Sequence, residues 1–169
     1  MKGRLAILPA LALLCVSSAS AGPARVIQRD AHIVGTVVEV PAPDEIIVRT
    51  ENDQDNEVTL HVRFARVDAP MSASASMKAR KVVESKLKGR RVRLLLTRSK
   101  EKGIAEASLV VFHADGSRSN PVRELVANGY LVADRDNGSR QYRYLESRAR
   151  RLGLGIWREE RLAAGEVEQ

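Results

Sequence analysis

The sequence predicts an α+β fold: a five-stranded β-barrel with one helix inserted after its third strand and two helices at the C-terminal end. Three observations predict it. Segments rich in β-branched residues crowd between Ile33 and Val67, a helix-favouring stretch follows Pro70, and the last third carries two segments with caps and closing glycines.

Ile33 to Val40 reads as the first strand, and Ile46 to Thr50, after a Pro-containing turn, as the second. Val58 to Val67 alternates. Val58, Leu60, Val62 and Phe64 share one face, so Arg63 projects from the other with Thr59 and His61. Glu51 to Glu57 reads as a polar, acidic hairpin loop whose Asn, Asp and Gln residues satisfy their own backbone. Ser72 to Leu87 is expected to be the inserted helix, with Met77, Val83 and Leu87 inside, Lys78, Arg80 and Lys81 outside, and Gly89 as its left-handed end. Arg90 to Leu96 and Leu109 to His113 read as the last two strands. A charged loop with Lys100, Glu101, Lys102 and Gly103 joins them, and an Asp115-Gly116 turn follows.

The first C-terminal helix is capped by Asn120, starts at Pro121, packs Val122, Leu125 and Val126, and closes at Gly129. The second spans Ser139 to Leu152, with Tyr142, Leu145 and Ala149 at helical spacing and a stop at Gly153. Leu154, Ile156 and Trp157 are expected to fold back as an apolar plug. Five strands with a helix between the third and fourth is the element count of an OB-fold-type barrel. No internal repeat interrupts this order.

The ends of the chain speak to compartment and boundaries. Lys2 and Arg4 precede an apolar run, Leu5 to Val16, that is too short to span a bilayer comfortably, and Ala19-Ser20-Ala21 supplies small cleavage residues. Residues 1–21 are therefore expected to be an export signal, 22–32 an N-terminal extension, 33–159 the single domain and 160–169 a flexible acidic tail. The expected location is periplasmic or secreted, and no transmembrane segment is expected in the mature chain. The only cysteine, Cys15, lies inside the signal, which leaves no thiol, disulfide or cysteine-metal site in the mature chain. With 26 basic against 21 acidic residues, that chain carries +5. The surplus suits a polyanionic partner, and it equally serves solubility.

Chemistry concentrates in Arg63 to Pro70. An Arg and an Asp at one strand end suit phosphate and metal work, because a planar guanidinium holds two phosphate oxygens and a hard cation takes carboxylate and carbonyl oxygens. The next residue is Met71, whose thioether can neither accept a proton nor orient a nucleophile. His61 and His113 read as ordinary strand residues, without a paired pattern that would bind zinc.

From about Ile33 to Glu159 the chain resembles the thermonuclease family, the staphylococcal-nuclease-like domain. The resemblance lies in Val40 to Ile46, where an Asp precedes a strand, and in Arg63 to Pro70. It continues in Asn120 to Leu125, Gly129-Tyr130, Leu145-Glu146, Ala149 and Gly155-Ile156-Trp157. It implies a calcium-dependent endonuclease that hydrolyses phosphodiester bonds of DNA and RNA. Asp44, Asp68 and the Ala69 carbonyl would hold Ca²⁺, and Arg63 would hold the scissile phosphate.

Three departures set this chain apart from that pattern. Met71 stands where the family has the Glu that acts on water. Counting eight or nine residues back from Asp115 for the family's second arginine reaches Ala107 or Glu106. In the first turn, Ala42 and Pro43 replace an acidic residue and a Gly, and Glu45 replaces a hydroxyl residue. Losing one charge-stabilising donor costs on the order of 10²- to 10³-fold, and losing acid/base help roughly 10²- to 10⁴-fold. The expected function is thus a degenerate nuclease-like protein, weak or inactive, that retains binding to DNA or RNA, another polyanion, or another envelope protein. The arginine-rich helix (Arg140, Arg143, Arg148, Arg150, Arg151) reads as a solvated basic face or as a docking face.

Overall fold

The computed structural model describes residues 32–51, 56–101 and 103–163. The expected export signal, all of the extension but His32, most of the acidic hairpin loop and residues 164–169 of the tail lie outside the described residues.

Strand β1 (His32–Ala42) is long enough to serve two neighbours. Its first half pairs antiparallel with β5 (Arg91–Glu101), and its second half with β2 (Glu45–Glu51) across register shifts between Val37 and Glu39 and between Glu39 and Ala42. Such irregularities bend a strand and add twist. Strand β3 (Glu57–Phe64) continues the meander from β2, and β6 (Ile104–Phe112) pairs antiparallel with β5. The barrel closes where β3 meets β6 in parallel. The result is a closed, five-stranded mixed barrel with added helices, an OB-fold-like α+β fold.

Its interior is filled by one alternate face of each strand, including Val37, Ile46, Val62, Phe64, Leu94 and Leu109. The last two strands are longer than sequence spacing suggests: they run to Glu101 and from Ile104, so the expected charged loop shrinks to a tight connection. In β6 the polar residues Glu106 and Ser108, on the face away from the core, mask the strand signal.

Helix α1 (Ala73–Leu87) begins at Ser72, whose hydroxyl accepts from the Ala75 N–H at 3.2 Å. Its buried stripe is Ala75, Ala79, Val83 and Leu87, a strict four-residue spacing. Met77, expected inside, is 64% exposed because it lies about 200° around the helix from Ala75. Val83 and Leu87 plug the barrel core, and the Gly89 N–H donates to the Val37 carbonyl.

Short strands β4 (Val67–Asp68) and β8 (Val132–Ala133) form a separate antiparallel pair, and β7 (Arg118–Ser119) extends β6. Helix α2 (Pro121–Ala127) and helix α3 (Arg140–Arg151) carry the expected side-chain caps, Asn120 and Ser139. Ile156 and Trp157 are buried, as expected of a plug, but Trp157 also starts a further short helix, α4 (Trp157–Ala163), where a frayed tail was expected from residue 160. No helix among the described residues is long and apolar enough to cross a membrane.

Two glycines fasten this C-terminal unit. Gly129 has φ of 71°, and a Cβ there would run into the Leu154 carbonyl oxygen and the Trp157 ring. Gly155, also at positive φ, would collide in turn with the carbonyl oxygens of Asn128 and Gly129. The Ile156 N–H then donates to the Gly129 carbonyl at 3.0 Å. Gly129→Ala combines left-handed strain with overpacking, and it is expected to lower unfolding free energy by roughly 2–4 kcal/mol in urea titration. A loss within about 0.5 kcal/mol would show that the two backbones do not meet there.

Candidate functional site at the barrel mouth

The site is built by a turn and a register. Pro43 and Asp44 form the two-residue turn between β1 and β2, which leaves Glu45 as the first residue of β2, opposite Ala42. In the antiparallel register with β3, Glu45 faces Arg63 and Ile47 faces His61. Side chains two apart on a strand share a face, so His61 and Arg63 both present themselves to Glu45.

The contacts are short. Glu45 Oε1 accepts from Arg63 Nε at 3.0 Å and Nη2 at 2.6 Å, while Glu45 Oε2 lies 2.8 Å from His61 Nε2. Burial alone would raise the Glu45 pKa. Hydrogen bonds from Arg63 and His61, reinforced by their charges, overcome burial and hold the carboxyl below its usual range. His61, expected to be an ordinary strand residue, is therefore the second partner of this carboxylate.

Asp44 lies in the turn rather than in the pleat, so it approaches the same guanidinium: Arg63 Nε is 3.8 Å from Asp44 Oδ2. Its carboxyl is raised, first by burial and then by the neighbouring charges of Glu45 and Asp68; its own backbone N–H and Arg63 oppose the rise. Beyond β3 the chain turns through Arg66, whose φ of 68° is left-handed and uncommon for a residue with a side chain. The Ala65 N–H donates to Ala107, and the Arg66 carbonyl accepts from the Asp134 N–H, so barrel and C-terminal unit both hold the turn. This delivers Asp68 in β4 back to the mouth.

A cavity of about 50 Å³ opens there, with Arg63, Arg66, Asp68, Glu106 and Asp134 in its wall. Glu106 is the side chain reached by counting for a second arginine, and the parallel register sets it opposite Arg63. Ala107, which the same count also reaches, is buried in the barrel opposite Phe64. Met71 is 88% exposed, and its sulfur accepts from Arg135 Nη2 at 3.2 Å. Met71 and Ala69 line a second, larger groove that shares Asp68 with the first.

Asp44, Arg63 and Asp68 therefore converge, and Ala69 and Met71 sit just outside. The residue that sequence reasoning gave no role is Glu45, noted only as standing in place of a hydroxyl residue. Its signal was the pairing of unlike charges across the β2–β3 register, visible only once the strand start is known.

Calcium takes six to eight oxygen ligands. Two carboxylates and one carbonyl supply fewer, and Glu45 has both oxygens engaged. Among the described residues no group of three or more His, Asp or Glu side chains could share a metal ion. The residues present do not fit a strong calcium site.

The closed barrel and its helices define the class, an OB-fold-like α+β protein. No family model matches the chain, and no curated protein sequence matches it. Among solved structures it is similar to the extended Tudor domain of Tudor-SN (p100) from Drosophila melanogaster, at 15% identity and a TM-score of 0.46. That likeness covers 80% of this chain and 78% of the other.

Asp44 allows a test of the electrostatics. Because folding raises its pKa, the ionised carboxylate costs stability; the cost begins as pH rises through 3.8, the ordinary value for an Asp carboxyl, and is complete above the raised folded value. Asp44→Asn is expected to be more stable than the wild type at pH 7 and to lose that advantage below pH 3.8. Denaturant titrations across this range check the sign. A variant less stable at neutral pH would mean that Asp44 is ionised at a profit.

Proposed function

We propose that this chain is a thermonuclease-like barrel with little or no hydrolytic power, which works by binding nucleic acid. The observation that carries the reading is the bidentate grip of Glu45 on Arg63, at 3.0 and 2.6 Å. A phosphodiester carries the same single negative charge as the carboxylate it would displace, so the exchange gains no net attraction. It would also leave Glu45 with His61 as its remaining partner, next to the Asp44 carboxylate. A guanidinium held in this way is a poor transition-state clamp.

Water activation fails separately. The Met71 thioether cannot act as a base, and Arg135 lies against it, where a carboxylate would be drawn into an ion pair. The formal charge of the whole chain, +7, supports a polyanionic partner, and the segment ending at Ala21 supports export to the periplasm or medium.

With calcium present, the wild type is expected to leave single-stranded DNA intact at the background of Arg63→Ala, roughly 10⁴-fold or more below an intact site of this kind. Met71→Glu alone is not expected to restore rapid cutting. Fast calcium-dependent digestion by the wild type, lost in Arg63→Ala, would overturn the reading in favour of an active endonuclease. Calorimetric titration is expected to show no saturable calcium binding tighter than about 10⁻³ M, the weak end of known protein sites. Binding below 10⁻⁴ M would contradict the thin donor set.

A further inference from the structure

The barrel mouth is crowded with carboxylates, so nucleic acid must be held elsewhere if the chain binds it. We infer that the groove between the β4 strand end and helix α3 is a phosphodiester-binding site in which Arg135 and Arg143 hold the backbone of a single strand. The inference rests on the nucleic-acid reading above.

The groove has a volume of about 470 Å³, within the range of about 300–1,000 Å³ usual for ligand clefts. Its charged groups are Asp68, Asp134, Arg135, Arg143, Glu146 and Arg150. They are not equivalent. Glu146 gives Oε1 to Arg150 and Oε2 to the Ala133 N–H, and Asp134 Oδ1 accepts from the N–H groups of Asp136 and Asn137. Arg150 is bound to Glu146 and also lies over the Trp157 ring, 4.1 Å from its centroid.

Arg135 and Arg143 differ. Among the described residues neither has a carboxylate within ion-pair distance. Arg135 donates only to the Met71 sulfur, a weak and neutral acceptor, and Arg143 donates to the Arg135 backbone carbonyl at 3.1 Å. That bond draws the α3 guanidinium to the loop bearing the other one. Two cations are thus gathered on one side of the cleft, neither of them paired to a carboxylate among the described residues. A phosphate oxygen is a far stronger acceptor than a thioether, and guanidinium pairs with phosphate are charge-assisted and often bidentate.

The remaining wall favours backbone over base recognition. Met71 and the half-buried Val132 offer apolar surface to a sugar, whereas the Trp157 face is covered by Arg150 and the residue is only 5% exposed. Stacking, the usual source of base affinity in single-strand sites, is unavailable there. Binding should depend on salt and little on sequence.

The test uses fluorescence anisotropy of a labelled oligothymidylate of about twelve nucleotides, titrated over a range of salt concentrations. The Arg135→Ala/Arg143→Ala protein is expected to bind about tenfold or more weaker than wild type. Its salt slope should fall by roughly 1.4, two phosphates at about 0.7 each. Arg148→Ala/Arg151→Ala removes equal charge from exposed positions of α3 outside the groove and should lose no more than about threefold. Met71→Glu keeps both arginines and pairs one of them, and it should weaken binding without disturbing the fold, which thermal melting checks. Equal losses from the two arginine pairs, or no loss from Met71→Glu, would overturn the groove while leaving nucleic-acid binding in place. Absence of wild-type binding at 50 mM salt would overturn both readings. Tighter binding of a polyglutamate peptide than of DNA would move the site to a protein partner.

Discussion

Closure of the barrel through the parallel contact of β3 with β6 is the constraint on which the rest depends. It gives β3 two neighbours, β2 and β6, and each sets a glutamate against Arg63: Glu45 in the antiparallel register and Glu106 in the parallel one. An arginine at the end of an open strand would be a surface cation. Held between two strands that both carry carboxylates, it becomes part of an internal ion-pair network to which His61 and Asp44 also belong. Charge-assisted hydrogen bonds of this kind are short and about twice as strong as neutral ones. The same geometry therefore pairs this guanidinium with carboxylates of its own chain.

The C-terminal unit shows the complementary arrangement. Gly129 and Gly155 let two backbones touch, which seats Ile156 and Trp157 behind β4 and β8 and sets α3 beside the strand end. Arg150 covers the indole, and Lys78 of α1 pairs with Glu159 of α4 on the surface. Arg135, on the loop after β8, and Arg143, on α3, have no carboxylate partner among the described residues, whereas Arg63 at the mouth is engaged by Glu45.

Much of this was legible from residue order. The caps at Ser72, Asn120 and Ser139, the closing glycines at 89 and 129, and the face shared by Val62 and Phe64 follow from local physics, and each is present. Arg63, Asp44 and Asp68 were also readable as candidates, since a strand end and a turn before a strand are local features. Met77 was misplaced because its apolar side chain matched the helix pattern only if the stripe was allowed to wander. The start of β6 was cut short because the half-buried Glu106 and exposed Ser108 interrupt the apolar run that marks a strand.

The sequence by itself determined the order of the five barrel strands, the inserted helix and the two capped helices that follow, because propensity, capping and alternation act over a few neighbouring residues. Tertiary structure alone decided that Glu45 closes on Arg63, that Glu106 stands where a cation was sought, and that Arg135 lies against Met71. These pairs are separated by 18, 43 and 64 residues. Their meeting depends on strand register and barrel closure, which one chain's local pattern does not encode.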